Sequence, residues 1–450
     1  MIRLHEISAK LLDIPQKTKT TLLFWLGAAL VGIAAVTLAA AADWAANGFH
    51  WIQRRWWWAP LLLVPAGGVL ITWIMHRCGP GANGSGIPQA KAALQASNHP
   101  LVTRHLLSLR IAAMKALGII LGLFSGFVLG REGPTVQIGA SIMYSLRQLL
   151  PHDSAEMRRQ LILVGGAAGI AAAFNTPLAG IVFAFEEMAR SVEEKTSGKL
   201  LGAVILAGLV SLAIEGDYIY FGRIHAPAFV FASSELIPVV LISVLCGLMG
   251  GAFAWLCLNI KVWLPIPVQI WQKKRPYAFV AACGFFIAVL GMIAPIHGSG
   301  AEVTRAAIEN HQSLPWYFLP LKLLGLLATF LTGLPGGIFA PSLAMGAGVG
   351  SWFAPFFAAN VTVKLMAIGM AAMLAAVTRA PITAAIILME MTDGHSMVIS
   401  IMVATMIAST VARRFNANLY HELAERALAQ LKLGEVDDAP AKRAKDHDVA

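Results

Sequence analysis

The hydrophobic positions of this chain fall in long unbroken runs. No Asp, Glu, Lys or Arg occurs in residues 22–42, 56–75, 161–185, 237–260 or 397–412. A helix needs about 20 apolar residues to cross a hydrocarbon core of about 30 Å. The runs therefore predict transmembrane helices and an all-α polytopic membrane protein. The first run follows a basic start, as a secretory signal would. A signal's apolar region is only about 7–15 residues long. This run is longer and many others follow it, so it reads as a retained first span.

Other apolar segments are short. Gly and Pro interrupt the chain between Gly130 and Pro134, between Pro335 and Pro341, at Thr176-Pro177 and at Ala380-Pro381. A broken helix in a bilayer leaves backbone groups unpaired, which is tolerated only where they line a cavity or are buried in protein. Transporters use such breaks to aim helix N-termini at anions. The breaks also recur in order. Gly165, Ala167, Ala168, Ala171, Ala172, Pro177 and Glu186 match Gly369, Ala371, Ala372, Ala375, Ala376, Pro381 and Glu390, 204 residues on. Gly130, Pro134, Gly139 and Ala140 match Gly337, Pro341, Gly346 and Ala347 at 207, and Gly84-Ser85-Gly86 matches Gly298-Ser299-Gly300 at 214. The expected division is an N-terminal segment 1–19, related membrane halves 20–220 and 221–412, and a C-terminal segment 413–450.

Composition sharpens this picture. The chain is 57% hydrophobic and 13% charged, about half the charge of a soluble domain. Its net charge of +10 would suggest nucleic acid in a soluble protein. Here the basic residues gather at the ends, at Arg3, Lys10, Lys17 and Lys19 before the first span and Arg413, Arg414 and Arg426 after the last. By the positive-inside rule both termini are expected in the cytoplasm, with an even number of crossings. Arg54 and Arg55 fall on the other side. Beside Trp56, Trp57 and Trp58 they read as an interfacial anchor. The four cysteines, Cys78, Cys246, Cys257 and Cys283, show no metal-ligand spacing. No cofactor, metal, nucleic acid or nucleotide is expected.

Three Gly-rich breaks are candidate sites. Gly84-Ser85-Gly86-Ile87-Pro88 offers a hydroxyl and the free amides of a helix start, an anion site by dipole and geometry. Alternatively Ser85 simply caps the helix. Gly130-Arg131-Glu132-Gly133-Pro134 places charge in a stretch otherwise uncharged from Ala116 to Met143. An intramembrane charge costs about 2.5–3.5 kcal/mol or more, which favours a functional reading of Glu132. The competing reading is a self-satisfied Arg131–Glu132 pair, but adjacent residues do not face each other on a helix. Gly336-Gly337-Ile338-Phe339-Ala340-Pro341 offers only backbone amides, at Ile338 and Phe339, or else a plain kink. Glu186 and Glu187 end an apolar run, where interfacial carboxylates are ordinary. Tyr420, just past the last run, reads as an aromatic-belt residue.

Together these motifs resemble the CLC family of chloride channels and chloride/proton exchangers. The family's GSGIP, GREGP and GxFxP signatures stand in order at Gly84–Pro88, Gly130–Pro134 and Gly337–Pro341, and the resemblance runs from about residue 20 to 425. It implies the CLC fold of two inverted-topology repeats with many broken and tilted helices. It also implies a homodimer in a bacterial cytoplasmic membrane, each subunit with its own pore. The implied function is a voltage- and pH-sensitive secondary transporter exchanging chloride for protons. Ser85 and Tyr420 would then bind chloride through their hydroxyls, and Ile338 and Phe339 through their amides. Glu132 would be the gate and Glu187 the inner proton relay. Arg131, Gly133 and Lys115 would line or support the pathway.

The chain departs from bacterial exchangers in carrying Gln89 and Lys91 where acidic residues follow GSGIP. Ser85 favours chloride over nitrate. With 30 residues after Tyr420, the paired nucleotide-binding CBS modules of many eukaryotic relatives are not expected. Residues 421–433 suggest a short amphipathic helix, and 439–450 a disordered charged tail. Two alternatives stand beside this reading. One is a passive CLC channel gated by Glu132. The other, more remote, is an intramembrane serine protease using Ser85, with His297 or His395 as its base and Asn83 where such enzymes carry Gly.

Overall fold

The computed structural model describes residues 16–150, 153–188, 194–216, 219–222, 224 and 233–431. The expected tail at 439–450 and most of the N-terminal segment lie outside the described residues. Within them the protein is helical throughout, with a single antiparallel bridge, Gly130 to Gly337, as its only extended pairing.

Eight described helices are long and apolar enough to cross a membrane. The first, Gln16–Arg55, has 40 residues. At about 1.5 Å per residue it is far longer than a bilayer core is thick, so it runs oblique to a membrane or projects from it. It also begins before residue 20, where the first membrane half was expected to start. Trp56, Trp57 and Trp58 follow it with exposed rings, as an interfacial anchor requires. The expected C-terminal amphipathic helix is present over residues 419–431.

The remaining helices are too short to span. Ile87–Gln95, Glu132–Ser145, Pro177–Phe183, Phe339–Ser351 and Pro381–Thr392 start or stop in the protein interior. Glu132–Ser145 and Phe339–Ser351 are buried almost entirely. Their backbones reach their neighbours because glycines meet. A side chain on Gly139 would collide with the Gly165 carbonyl, and one on Gly346 with that of Gly369. Small residues let membrane helices approach this closely without a solvent-driven force.

Contacts of this kind come in pairs that follow the sequence repeat. Lys115, fully buried, donates to the carbonyls of Asn83 (3.2 Å) and Gly84 (2.7 Å). Lys322, 207 residues on and equally buried, donates to Ile296 (2.7 Å) and Gly298 (2.9 Å). Gly130 and Gly337 pair with each other, N–H to carbonyl, at 2.8 and 2.7 Å. Two residues that bond reciprocally in an antiparallel bridge straddle a local two-fold axis, and here the two are equivalent positions of the sequence repeat.

Candidate functional site

The loop before helix Ile87–Gln95 is built to leave one hydroxyl over. Gly84 and Gly86 have φ of +74° and +104°, a region that favours glycine. The Gly84 N–H donates to the Gly333 carbonyl, and the Gly84 carbonyl accepts from Gly336. Gln89 accepts from the Gly86 N–H at 2.9 Å and donates to the Asn83 carbonyl at 2.7 Å. Gly86 is therefore the helix cap and Gln89 its partner, so Ser85 does not cap the helix. Its hydroxyl is buried and makes no hydrogen bond of standard geometry.

The Gly130–Gly337 bridge sets the starts of helices Glu132–Ser145 and Phe339–Ser351 beside this loop. A Cβ on Gly133 would lie 2.8 Å from Ser85 Oγ and 3.5 Å from Gly337 Cα. Ile338 is the N-cap residue of the second helix and Phe339 its first residue. Tyr420 is fully buried, which removes it from any aromatic belt. Its ring stacks on Phe339 at 6.0 Å, and its hydroxyl faces that of Ser85, neither having another hydrogen-bond partner. Buried polar atoms without partners are uncommon and call for an explanation. Two such hydroxyls beside helix N-termini form a weak multi-dentate anion site.

Glu132 lies on the other side of these helix starts, fully buried. One carboxylate oxygen accepts from the Tyr220 hydroxyl at 3.2 Å, and the other has no hydrogen-bond partner. Arg131 turns away from it. Its guanidinium pairs with Asp43 at 2.6 Å and donates to the Ala39 carbonyl at 2.7 Å. The adjacent pair is not self-satisfied, so Glu132 remains available to other chemistry. A cavity of 260 Å³, walled by Asp43, His50, Arg131, Tyr220 and Gly298–Arg305, reaches it from one face.

A second cavity, of 530 Å³, reaches Ser85, Gly337 and Ile338 and includes Lys261 and Arg426. Arg426 belongs to the C-terminal helix, so this cavity opens on the face where that helix lies. A third, of 310 Å³, holds Lys91, Arg159, Glu186, Glu187, Arg379 and His421. Residues Ala184–Met188 form a π-helical turn. The turn separates the two adjacent carboxylates. Glu186 accepts from the amides of Ile382 (3.1 Å) and Thr383 (2.6 Å), while Glu187 is buried and pairs with Lys91 at 2.6 Å. Neither is a free interfacial charge.

Sequence reasoning did not find Tyr220, Asp43 or the Lys91 contact, each of which acts across at least 88 positions. Lys322 was findable, because it stands 207 residues after Lys115, the spacing of the Gly130 motif. No histidine bonds to Ser85, and His297 lines a different cavity. A serine–histidine nucleophile is thus not assembled. Among the described residues no three His, Cys, Asp or Glu side chains gather as a metal site would need.

A sequence profile described as voltage gated chloride channel matches residues 67–413. The chain is 30% identical to the H(+)/Cl(-) exchange transporter ClcA of Citrobacter koseri, covering 92% of this chain and 91% of that protein. It is 30% identical to ClcA of Yersinia pseudotuberculosis, over 93% and 90%. Among solved structures, a slow cyanobacterial Cl-/H+ antiporter matches with a TM-score of 0.76 at 27% identity, over 92% of this chain and 99% of that one. A CLC-type fluoride/proton antiporter shares the fold with a TM-score of 0.74 at 20% identity, over 90% and 98%.

Proposed function

The chain belongs to the voltage-gated chloride channel family, and on that premise we propose that it is a secondary transporter exchanging chloride for protons. The observation that carries the reading is the pair of buried hydroxyls of Ser85 and Tyr420, which face each other and have no other partner, beside the helix starts at Glu132 and Phe339. Partial positive charge from the Ile338 and Phe339 amides, with two hydroxyl donors, holds a chloride without a full counter-charge. A conducted ion must be bound firmly enough to enter and loosely enough to leave, and a lysine in that position would retain it.

Glu132 is the gate. As a carboxylate it competes with chloride for the amides at the helix starts. As a neutral acid it loses that competition, and the anion passes. One proton is thereby exchanged against chloride occupancy at the same place. Glu187 supplies the proton from the cavity that opens beside the C-terminal helix. Lys115 and Gln89 hold the Ser85 loop, Arg131 is anchored to Asp43 and orients the Glu132 turn, and Gly133 lets that turn approach Ser85.

The basic termini support a cytoplasmic position for the C-terminal helix, and with it for the Ser85 and Glu187 cavities. The transporter works as a homodimer with one pathway per subunit. The test is proton movement into sealed liposomes holding the purified protein, driven only by a chloride gradient. Uphill proton movement is expected, and it should vanish in Glu187→Gln while chloride still flows. Chloride flow with no proton movement in the unaltered protein would make it a passive channel.

A further inference from the structure

The ion pair between Lys91 and Glu187 has no evident structural purpose. It joins helix Ile87–Gln95, which starts at the Ser85 loop, to the π-turn at Ala184–Met188. The side chains are 11% and 6% exposed. A buried ion pair often stabilises no more than a packed apolar pair of the same volume would. What distinguishes this one is its place, at the wall of the 310 Å³ cavity from which Glu187 would take its proton.

The charged neighbours of Glu187 are few. Glu186 shares its turn but is engaged by the Ile382 and Thr383 amides. Arg159 and Arg379 line the same cavity, as does His421, which faces Glu425 at 3.2 Å. Tyr420 approaches from the interior. Of the cations, Lys91 is the one in contact, at 2.6 Å.

We propose that Lys91 is a positioning residue for the proton half of the exchange: its ammonium holds Glu187 charged in the cavity wall, and a proton reaches that carboxylate only as Lys91 disengages. The inference rests on the reading of Glu187 as the inner relay. Burial raises the Glu187 carboxyl above the ordinary carboxylate range, and the Lys91 ammonium is the contact that works against this and favours the ionised form. The four-carbon stem of lysine is flexible enough to carry the ammonium away, and the cavity beside it provides the room. The proton step is then throttled by a side chain that touches no chloride, and the anion step is left unaltered.

The experiment is chloride-driven proton flux in liposomes as a function of pH on the cavity side, for the unaltered protein, Lys91→Met and Lys91→Arg. Lys91→Met is expected to move the half-maximal pH of proton flux upward by about one unit, so that flux near neutrality rises several-fold. Lys91→Arg keeps the charge and should keep the original profile. If Lys91→Met does not elute as the native species, Lys91→Gln, which removes the charge but not the hydrogen bond, should give the same upward shift. Proton flux with an unshifted profile in the neutral variants overturns the inference and leaves the relay standing. No proton flux from the unaltered protein at any pH overturns the exchange reading, and the inference with it.

Discussion

Glu186 and Glu390 each close the start of the helical segment that carries the other. Glu186 accepts from Ile382 and Thr383 at the start of Pro381–Thr392, and Glu390 accepts from Leu178 (3.3 Å) and Ala179 (2.9 Å) at the start of Pro177–Phe183. The two glutamates are 204 positions apart, as are Pro177 and Pro381. The relation is reciprocal, so one exchange of halves maps the contact onto itself. It also has a function in folding. A helix start leaves amides without intrahelical partners, and each half supplies the carboxylate that accepts from two of the other's.

Loss of either cap should therefore cost a similar amount. Glu186→Ala and Glu390→Ala are each expected to lower stability by about 1–2 kcal/mol, the usual value of a lost helix cap. Unfolding of the purified protein in detergent checks this. A large effect from one variant and none from the other would show that the caps are not equivalent.

Glu132→Gln fixes the gate in a form that carries no charge. If the neutral acid is the open state, chloride flux in the unaltered protein rises as pH falls, because more of Glu132 is protonated. The variant should show the acid-limit flux at every pH and carry no protons. Chloride efflux from liposomes at several pH values reads both. A variant whose flux still rises on acidification would place the pH-sensing group elsewhere.

The two facing hydroxyls can be tested by removing one oxygen at a time. Ser85→Ala and Tyr420→Phe are each expected to weaken chloride binding by about tenfold or more, since a hydrogen bond to a charged partner is worth about 1.5 kcal/mol or somewhat more and about 1.4 kcal/mol is a factor of ten. Calorimetric titration with chloride measures it. Unchanged affinity in both variants would remove these residues from the site.

The helix breaks were legible because their causes are local. Gly84 and Gly86 need positive φ, and Pro88, Pro134 and Pro341 lie in first turns, so sequence and geometry carry the same information. Ser85 and Tyr420 were harder. Their ordinary roles, as a cap and a belt residue, fit the local sequence, and only the family resemblance pointed elsewhere. The partners of the charged groups were not legible. Lys91 meets Glu187 across 96 positions, and Tyr220 meets Glu132 across 88. No periodicity encodes such a contact, because it depends on how the helices pack. The exchange of acidic residues for Gln89 and Lys91 was visible as a departure, but its consequence was not. Gln89 completes the Ser85 loop, and Lys91 engages the relay.

Lys115 and Lys322 separate a repeated architecture from a function that is not repeated. Each is fully buried and ties down the carbonyls of a Gly-Ser-Gly loop. The loops differ in what they present. Ser85 leaves its hydroxyl without a partner beyond Tyr420, whereas Ser299 accepts from the Ala301 N–H at 3.2 Å in a local turn before the helix that Gly300 caps. Lys115→Met and Lys322→Met should then both destabilise the protein, by about 1–2 kcal/mol for the two hydrogen bonds lost from each. Only Lys115→Met should also weaken chloride binding, because only its loop carries a hydroxyl into the anion site. Detergent unfolding and chloride calorimetry on the same two variants resolve the two effects. If Lys322→Met lowered chloride affinity as much as Lys115→Met, the Ser299 loop would have to share in binding the ion, and the assignment of the site to one half of the repeat would fail.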